Sequence, residues 1–258
     1  MTETADAQDL RDAGPVLQRE WGFVTRLLTG LDQAAWDRPT RCTGWTVRDL
    51  ALHVVWGVSM EADALRRART GEPGTADGHT MGAGSGPAEI LVRLHDAVED
   101  LVSEVATLGA DAPDRACPMP YGETPVPVAL AVFVFEAGIH ASDFAHAVGE
   151  DRPLADDVVP PAAAVTSLFL PVFAAAGAGA PEGTSFALRG GTVRLGGQWS
   201  GSGLVMGDEA PAPTFSVVGD DSSVLLFANG RLGLDDRRLR VEGSADLAQL
   251  FKTWVPGP

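Results

Sequence analysis

Apolar side chains recur at helical spacing in four stretches of the first 150 residues. Over residues 8–31 the stripe is Leu17, Trp21, Val24, Leu27, Leu28 and Leu31, and Gly30 with Asp32 marks its end. A loop through Ala34–Gly44 follows. Thr46 then reads as the N-cap of a helix over 47–69, with Asp49 in its first turn. Gly71–Pro87 is rich in Gly, Thr and Pro and reads as a long loop. A third helix is predicted over 88–108 on the stripe Ile90, Leu91, Leu94, Val98 and Leu101. After a Pro-rich loop at 112–120, a fourth runs over 125–148 and stops at Gly149.

Four such helices with short-to-medium connections predict a bundle. Glu150–Pro153 is a turn cluster, and it divides the chain into expected domains at 1–150 and 151–258. Beyond it the pattern changes. A helix near 158–177 precedes Gly-bounded alternating stretches at Ser185–Arg189, Thr192–Leu195, Gly203–Met206 and Thr214–Val218, which suit an antiparallel sheet. Residues 221–229 and 244–254 read as helical, so the second half is α+β and the fold class of the whole is α+β. No internal repeat is visible.

Composition narrows the function without naming it. Hydrophobic residues at 45% and charged residues at 21% exclude wholesale disorder. A net charge of −16 argues against nucleic acid and anionic membranes as partners. The acidic, polar N-terminal segment does not read as a secretory signal. The most apolar windows, 126–139 and 162–180, are expected to be too short or too interrupted by Pro and Gly to span a bilayer. Only two cysteines occur, Cys42 and Cys117, which suits a reducing cytoplasm and buried thiols.

The chemistry is concentrated in the fourth helix. In V-A-L-A-V-F-V-F-E-A-G-I-H-A-S-D-F-A-H-A-V nearly every face is apolar, yet Glu136 and His140 are set into it one turn apart. A buried carboxylate needs a proton, a partner or a cation. A plain Glu–His hydrogen bond or a Glu–Arg pair would serve. The second helix favours a metal, because His53 also sits among apolar residues, and bundles commonly build metal sites from inward-facing Glu and His on different helices. Two imidazoles and one carboxylate match catalytic zinc sites that keep one position open. Asp49 and Asp143 are candidates to accept the outer N–H of a ligating histidine, although capping or solvation explains them equally well. His79, in the long loop, and Tyr121, the single tyrosine, are candidate substrate-side residues. His95 reads as a surface residue.

The run Thr40-Arg-Cys-Thr-Gly-Trp-Thr-Val-Arg-Asp-Leu-Ala-Leu-His53 resembles the second-helix signature of the mycothiol-dependent maleylpyruvate isomerase family, a branch of the DinB-like four-helix proteins. The run Phe135-Glu-Ala-Gly-Ile-His-Ala-Ser-Asp-Phe-Ala-His-Ala-Val-Gly149 is similar to that family's fourth helix. The end of the chain, Leu239–Leu247 and Trp254–Pro258, resembles its sterol-carrier-like α+β domain. The resemblance implies that His53, Glu136 and His140 are metal ligands with zinc expected, and that the thiol cosubstrate is mycothiol. It also implies a small electrophilic substrate undergoing isomerisation or S-transfer. One departure bears on the substrate. The family holds a dicarboxylate with an arginine in or near the stretch after the second helix, and here Thr70–Val92 contains no Arg or Lys. Two other functions remain open on the residues alone. One is thiol-independent metal chemistry of the non-haem-iron, lyase or hydrolase kind. The other is non-catalytic binding of an apolar molecule by the second half.

Overall fold

Helix-forming periodicity becomes four helices that pack as a closed ring. The computed structural model describes residues 10–256, so the predicted helix start at residue 8 and the N-terminal segment lie outside the described residues. In the first unit α1 spans Ala13–Thr29, α2 Val47–Thr70, α3 Pro87–Ala106 and α4 Val126–Ala147. α1 touches α3 and α4, and α2 touches the same two. The core between them is filled by Leu17, Trp21, Leu50, Leu65, Leu94, Phe133 and Phe144, all at 1% exposure or less.

The sequence signals act where they stand. The Thr46 side chain accepts from the Asp49 amide, and Asp49 accepts from the Thr46 amide, a complete capping box at the start of α2. Gly149, at φ +85, follows the end of α4 in the left-handed region. One expectation fails between α3 and α4. The Pro-rich loop at 112–120 instead folds into a short turn, Ala112–Asp114, and a hairpin of β1 (Ala116–Met119) and β2 (Gly122–Pro125), which packs on α2 and α4. Strands of four residues that carry Pro118 and Pro125 give no alternating pattern to read.

The loop between α2 and α3 has no regular structure but is held by its backbone. Ala76 N–H donates to Pro118 O at 2.7 Å, and His79 N–H donates to Ser59 Oγ at 2.7 Å. Asp77 N–H reaches Asp63 Oδ2 at 3.3 Å. Gly78 lies so close to α2 that a Cβ there would stand 2.0 Å from Trp56 O.

The chain divides into compact units at Arg152–Pro153. The second contains α5 (Val159–Ala176), β3 (Ser185–Arg189), β4 (Arg194–Ser200), β5 (Gly203–Gly207), β6 (Phe215–Val218), α6 (Asp221–Ala228), β7 (Arg240–Gly243) and α7 (Ala245–Trp254). Its sheet has the order β5-β4-β3-β6-β7. The expected antiparallel sheet is in fact mixed, because β3 and β6 pair in parallel with Phe186 opposite Phe215. α6 and β7 were not both foreseen: α6 matches its predicted stretch, while β7 pairs antiparallel with β6 and has no apolar alternation to reveal it. Phe186, Phe215, Phe227 and Phe251 form the core against Trp199.

The expectation that the two apolar windows are too short or too interrupted to span a bilayer does not hold by length and composition. α4 and α5 are both long and apolar enough to cross a membrane by length and composition. The apolar window of α4 is 83% buried within the bundle, as befits a core helix, whereas that of α5 is 33% buried.

Gly78 is the fold's most direct control over the loop beside the site. Gly78→Ala should lift residues 71–86 from α2, lower the melting temperature by several degrees and expose the loop to protease first. Wild-type melting and an unchanged cleavage pattern would show that the loop tolerates the added methyl group.

Candidate metal centre

The site is set by two helices, with each side chain placed by its turn. On α2, His53 is half-buried, its ring 4.9 Å from that of Trp45 and 6.4 Å from that of Trp56. On α4, His140 lies edge-on to it with ring centroids 5.3 Å apart. Glu136 precedes His140 by four residues and Asp143 follows it by three, the two spacings that put side chains on one helical face. His140 Nε2 is accordingly 3.1 Å from Glu136 Oε2, and its Nδ1 is 3.1 Å from Asp143 Oδ2. One ligand atom from each of His53, Glu136 and His140 lies within 4.8 Å of the others.

His140 is buried and Asp143 is fully so. Burial pushes the imidazole pKa down, but hydrogen bonding with Asp143, Cys42 and Glu136 outweighs it and holds it well above the ordinary histidine value. With Nδ1 directed at Asp143, it is Nε2 that faces Glu136, and a neutral, metal-bound ring would present its lone pair on that side. A histidine ligated through one nitrogen and anchored by a carboxylate through the other is the usual support of a metal site. The donor chemistry therefore fits a borderline divalent ion such as zinc, with two nitrogens, one oxygen and room for a fourth ligand.

A second group, Cys42, His140 and Asp143, also has its donor atoms within 4.8 Å and is wholly buried. Here the Cys42 thiol donates to Asp143 Oδ2 at 3.4 Å. That arrangement braces Asp143 behind His140, whereas the first group keeps two half-buried members on its open side. Glu136 departs from the sequence reading in one respect. It is not sealed in the apolar helix, since its side chain keeps 32% exposure.

The other candidates separate. Asp49 accepts from the Thr46 amide and hydroxyl through Oδ2, which completes the capping box at the start of α2. His79 is exposed on the loop over Trp56 and Ser59, and it is not one of the donors gathered around His140. His95 is on the surface and pairs with Glu99. Tyr121 occupies the β1–β2 turn and is 58% exposed as a residue. Its phenol pKa is nevertheless pushed up to about 12, first by burial and then by the charges of Glu61, Glu136 and Cys117.

Glu61 was not singled out from the sequence. It lies on α2, eight residues and about 12 Å along the axis from His53, and is only 3% exposed. Its carboxyl is held well above the ordinary value, first by burial and then by the charge of Glu136. The spacing was readable: an acid two turns after His53, between Val58, Met60 and Ala62. Of the arginines that flank the cation-free stretch, Arg66, Arg67, Arg69 and Arg93, the first three are committed elsewhere. Arg66 and Arg67 pair with Asp63 and Glu72, and Arg69 pairs with Glu104.

A cavity of about 630 Å³ lies in the second unit against β4 and β5, lined by Gly197, Trp199, Val205 and Met206 among others. It includes none of the ionisable residues around His140. Titratable groups with shifted pKa values converge on the histidines instead, which makes the bundle the better candidate for chemistry.

Comparison with known proteins agrees with this picture. The family model of the mycothiol maleylpyruvate isomerase N-terminal domain matches residues 17–145. Two solved structures share the fold, a crystal structure of the mycothiol-dependent maleylpyruvate isomerase and one of its histidine-to-alanine mutant. Each is 18% identical, covers 92% of this chain and 95% of its own, and superimposes with TM-scores of 0.68 and 0.67 respectively. No curated protein sequence matches the chain.

The two aspartates should behave differently. Asp49→Ala removes a cap worth about 1 kcal/mol and should lower the melting temperature while leaving the His140 titration in place. A histidine with a raised folded pKa stabilises the fold below its unfolded value, and that contribution fades as pH rises through the folded value. In chelator-treated protein Asp143→Asn should therefore lower the His140 pKa, read by NMR, and lose more stability at mildly acidic than at alkaline pH. Identical His140 titrations in both variants would contradict this division of roles.

Proposed function

Because this chain belongs to the mycothiol maleylpyruvate isomerase N-terminal domain family, we propose that it is a metal-dependent enzyme that uses mycothiol for isomerisation or S-transfer on a small electrophile. The observation that carries the proposal is the convergence of His53, Glu136 and His140, with Asp143 anchoring His140 from behind. These three residues would hold one divalent ion, zinc by the chemistry of the donors. When bound, the ion would supply acidity, converting a coordinated thiol to its thiolate at neutral pH. Around it, Trp45 and Trp56 limit water beside His53, and Asp143 fixes which nitrogen His140 presents.

The substrate is proposed to be less anionic than maleylpyruvate. Thr70–Val92 contains no cation, and Arg66, Arg67 and Arg69 are already paired with Asp63, Glu72 and Glu104. An uncharged activated alkene would need no such cation.

Protein purified without chelator should contain about one zinc, or another first-row divalent ion, per chain. His53→Ala or His140→Ala should reduce occupancy at least tenfold, an order consistent with losing one ligand of three. Full occupancy in both variants would sink the ligand assignment. With mycothiol present the loaded protein should convert dimethyl maleate, an uncharged cis alkene, to its trans isomer faster than it turns over maleylpyruvate. Rapid turnover of maleylpyruvate alone would overturn the substrate refinement. Turnover without mycothiol would favour the thiol-independent metal chemistry.

A further inference from the structure

The loop that precedes α2 reaches both histidines of the candidate centre. Its neck is closed by an antiparallel bridge between Pro39 and Thr46, with Thr40 N–H donating to Trp45 O at 2.9 Å and Val47 N–H to Arg38 O at 2.9 Å. Inside the neck, Trp45 N–H donates to Cys42 O at 3.0 Å and Cys42 N–H to Thr40 Oγ1 at 3.1 Å, while Gly44 turns the chain at φ +80. Its own hydrogen bonds therefore set the path of Thr40–Trp45 before any outward side chain is used.

Three of those side chains then meet the helices that carry the histidines. Arg41 Nη1 donates to Ser142 Oγ at 3.3 Å, and Cys42 Sγ donates to the next residue of α4, at Asp143 Oδ2, at 3.4 Å. The Trp45 ring stands 4.9 Å from that of His53. Cys42 arrives on the same carboxylate oxygen that lies 3.1 Å from His140 Nδ1. Asp143 is wholly buried and Cys42 nearly so, and in such surroundings each hydrogen bond to a carboxylate weighs more than it would in water. A carboxylate held from two directions has little freedom to turn away from the imidazole.

We propose that Cys42 is a positioning residue for the divalent ion: through Asp143 it fixes the direction in which His140 faces, while Trp45 of the same loop backs His53. This rests on the metal reading above and goes beyond its three ligands. A ligand oriented before binding loses little freedom when the ion arrives, so the effect belongs to metal affinity. Cys42 could instead be a ligand, because its Sγ lies within 4.8 Å of donor atoms of His140 and Asp143. The geometry favours positioning. Nδ1 of His140 is already at Asp143, and that group is wholly buried, whereas Nε2 faces Glu136, where two members of the other group are half-buried.

The experiment sets full-length protein to compete for zinc with a chromophoric chelator. Cys42→Ala should weaken zinc binding about tenfold, the lower end of the cost of losing support behind a ligating histidine. Cys42→Ser, whose hydroxyl still donates, should recover to within about threefold of wild type. In an Asp143→Ala background the Cys42→Ala change should add less than about twofold, because its route to His140 is gone. Cys117→Ala, at the other buried cysteine, should leave zinc affinity unchanged. Cobalt-substituted wild type without added thiol should show no thiolate-to-cobalt absorption band. Wild-type affinity in Cys42→Ala, an equal loss in Cys42→Ser, or an undiminished effect in the Asp143→Ala background would each overturn the role given to Cys42. A thiolate band that Cys42→Ala abolishes would make it a ligand instead. All four outcomes leave the metal reading standing; a wild-type protein that takes up no divalent ion would end that reading and this one with it.

Discussion

Glu20, His140 and Asp143, ionisable groups buried inside an apolar bundle, each find a partner, and that pairing organises much of the first unit. α4 is the core helix, yet it carries Glu136, His140 and Asp143 within eight residues. The helix itself supplies most of the solution, because i,i+3 and i,i+4 spacing sets His140 between the two carboxylates. The same demand draws Cys42 from the loop before α2 onto Asp143, and Arg152 across Phe23 to Glu20. These long-range polar contacts tie segments that the apolar stripes alone would leave free to slide, and they fix the orientation of the one imidazole on which the site turns.

Much of the architecture was legible because its signals are local. Thr46, Asp49 and Gly149 marked helix ends that the structure reproduces, and the four apolar stripes became the four helices. What was hidden depends on distant pairing. β1 and β2 are four residues each and interrupted by proline, and their stability comes from packing on α2 and α4. The parallel partnership of β3 with β6 joins residues about thirty apart through β4 and β5, and no period-two pattern reports the direction of a neighbouring strand.

The site divides along the same line. His53, Glu136 and His140 stood out because each interrupts an apolar surface, and the structure gathers their ligand atoms together. Asp49 had two readings, and the hydrogen bonds that make it a cap are visible only in the structure. Glu61 interrupts an apolar stretch as well, but it is flanked by Asp63 and the arginines of the same helix, so it resembles a member of an exposed charged face. Its burial is a matter of tertiary packing, which a charged neighbourhood in the sequence does not disclose. The role of Arg66, Arg67 and Arg69 likewise needed coordinates, since ion pairs with Asp63, Glu72 and Glu104 are a matter of side-chain reach.

The loop between α2 and α3 is fastened chiefly through its own main chain: the amides of Ala76, Asp77 and His79, and the carbonyl of Pro73, which accepts from Arg67. Any residue except proline carries such an amide, so side chains along residues 79–86 can change while the path of the loop persists, provided Gly78 stays small against Trp56. The segment thus behaves as a replaceable fascia on a fixed frame. Selection for a new small molecule can rewrite its outward chemistry in single steps without refolding the bundle that holds the histidines.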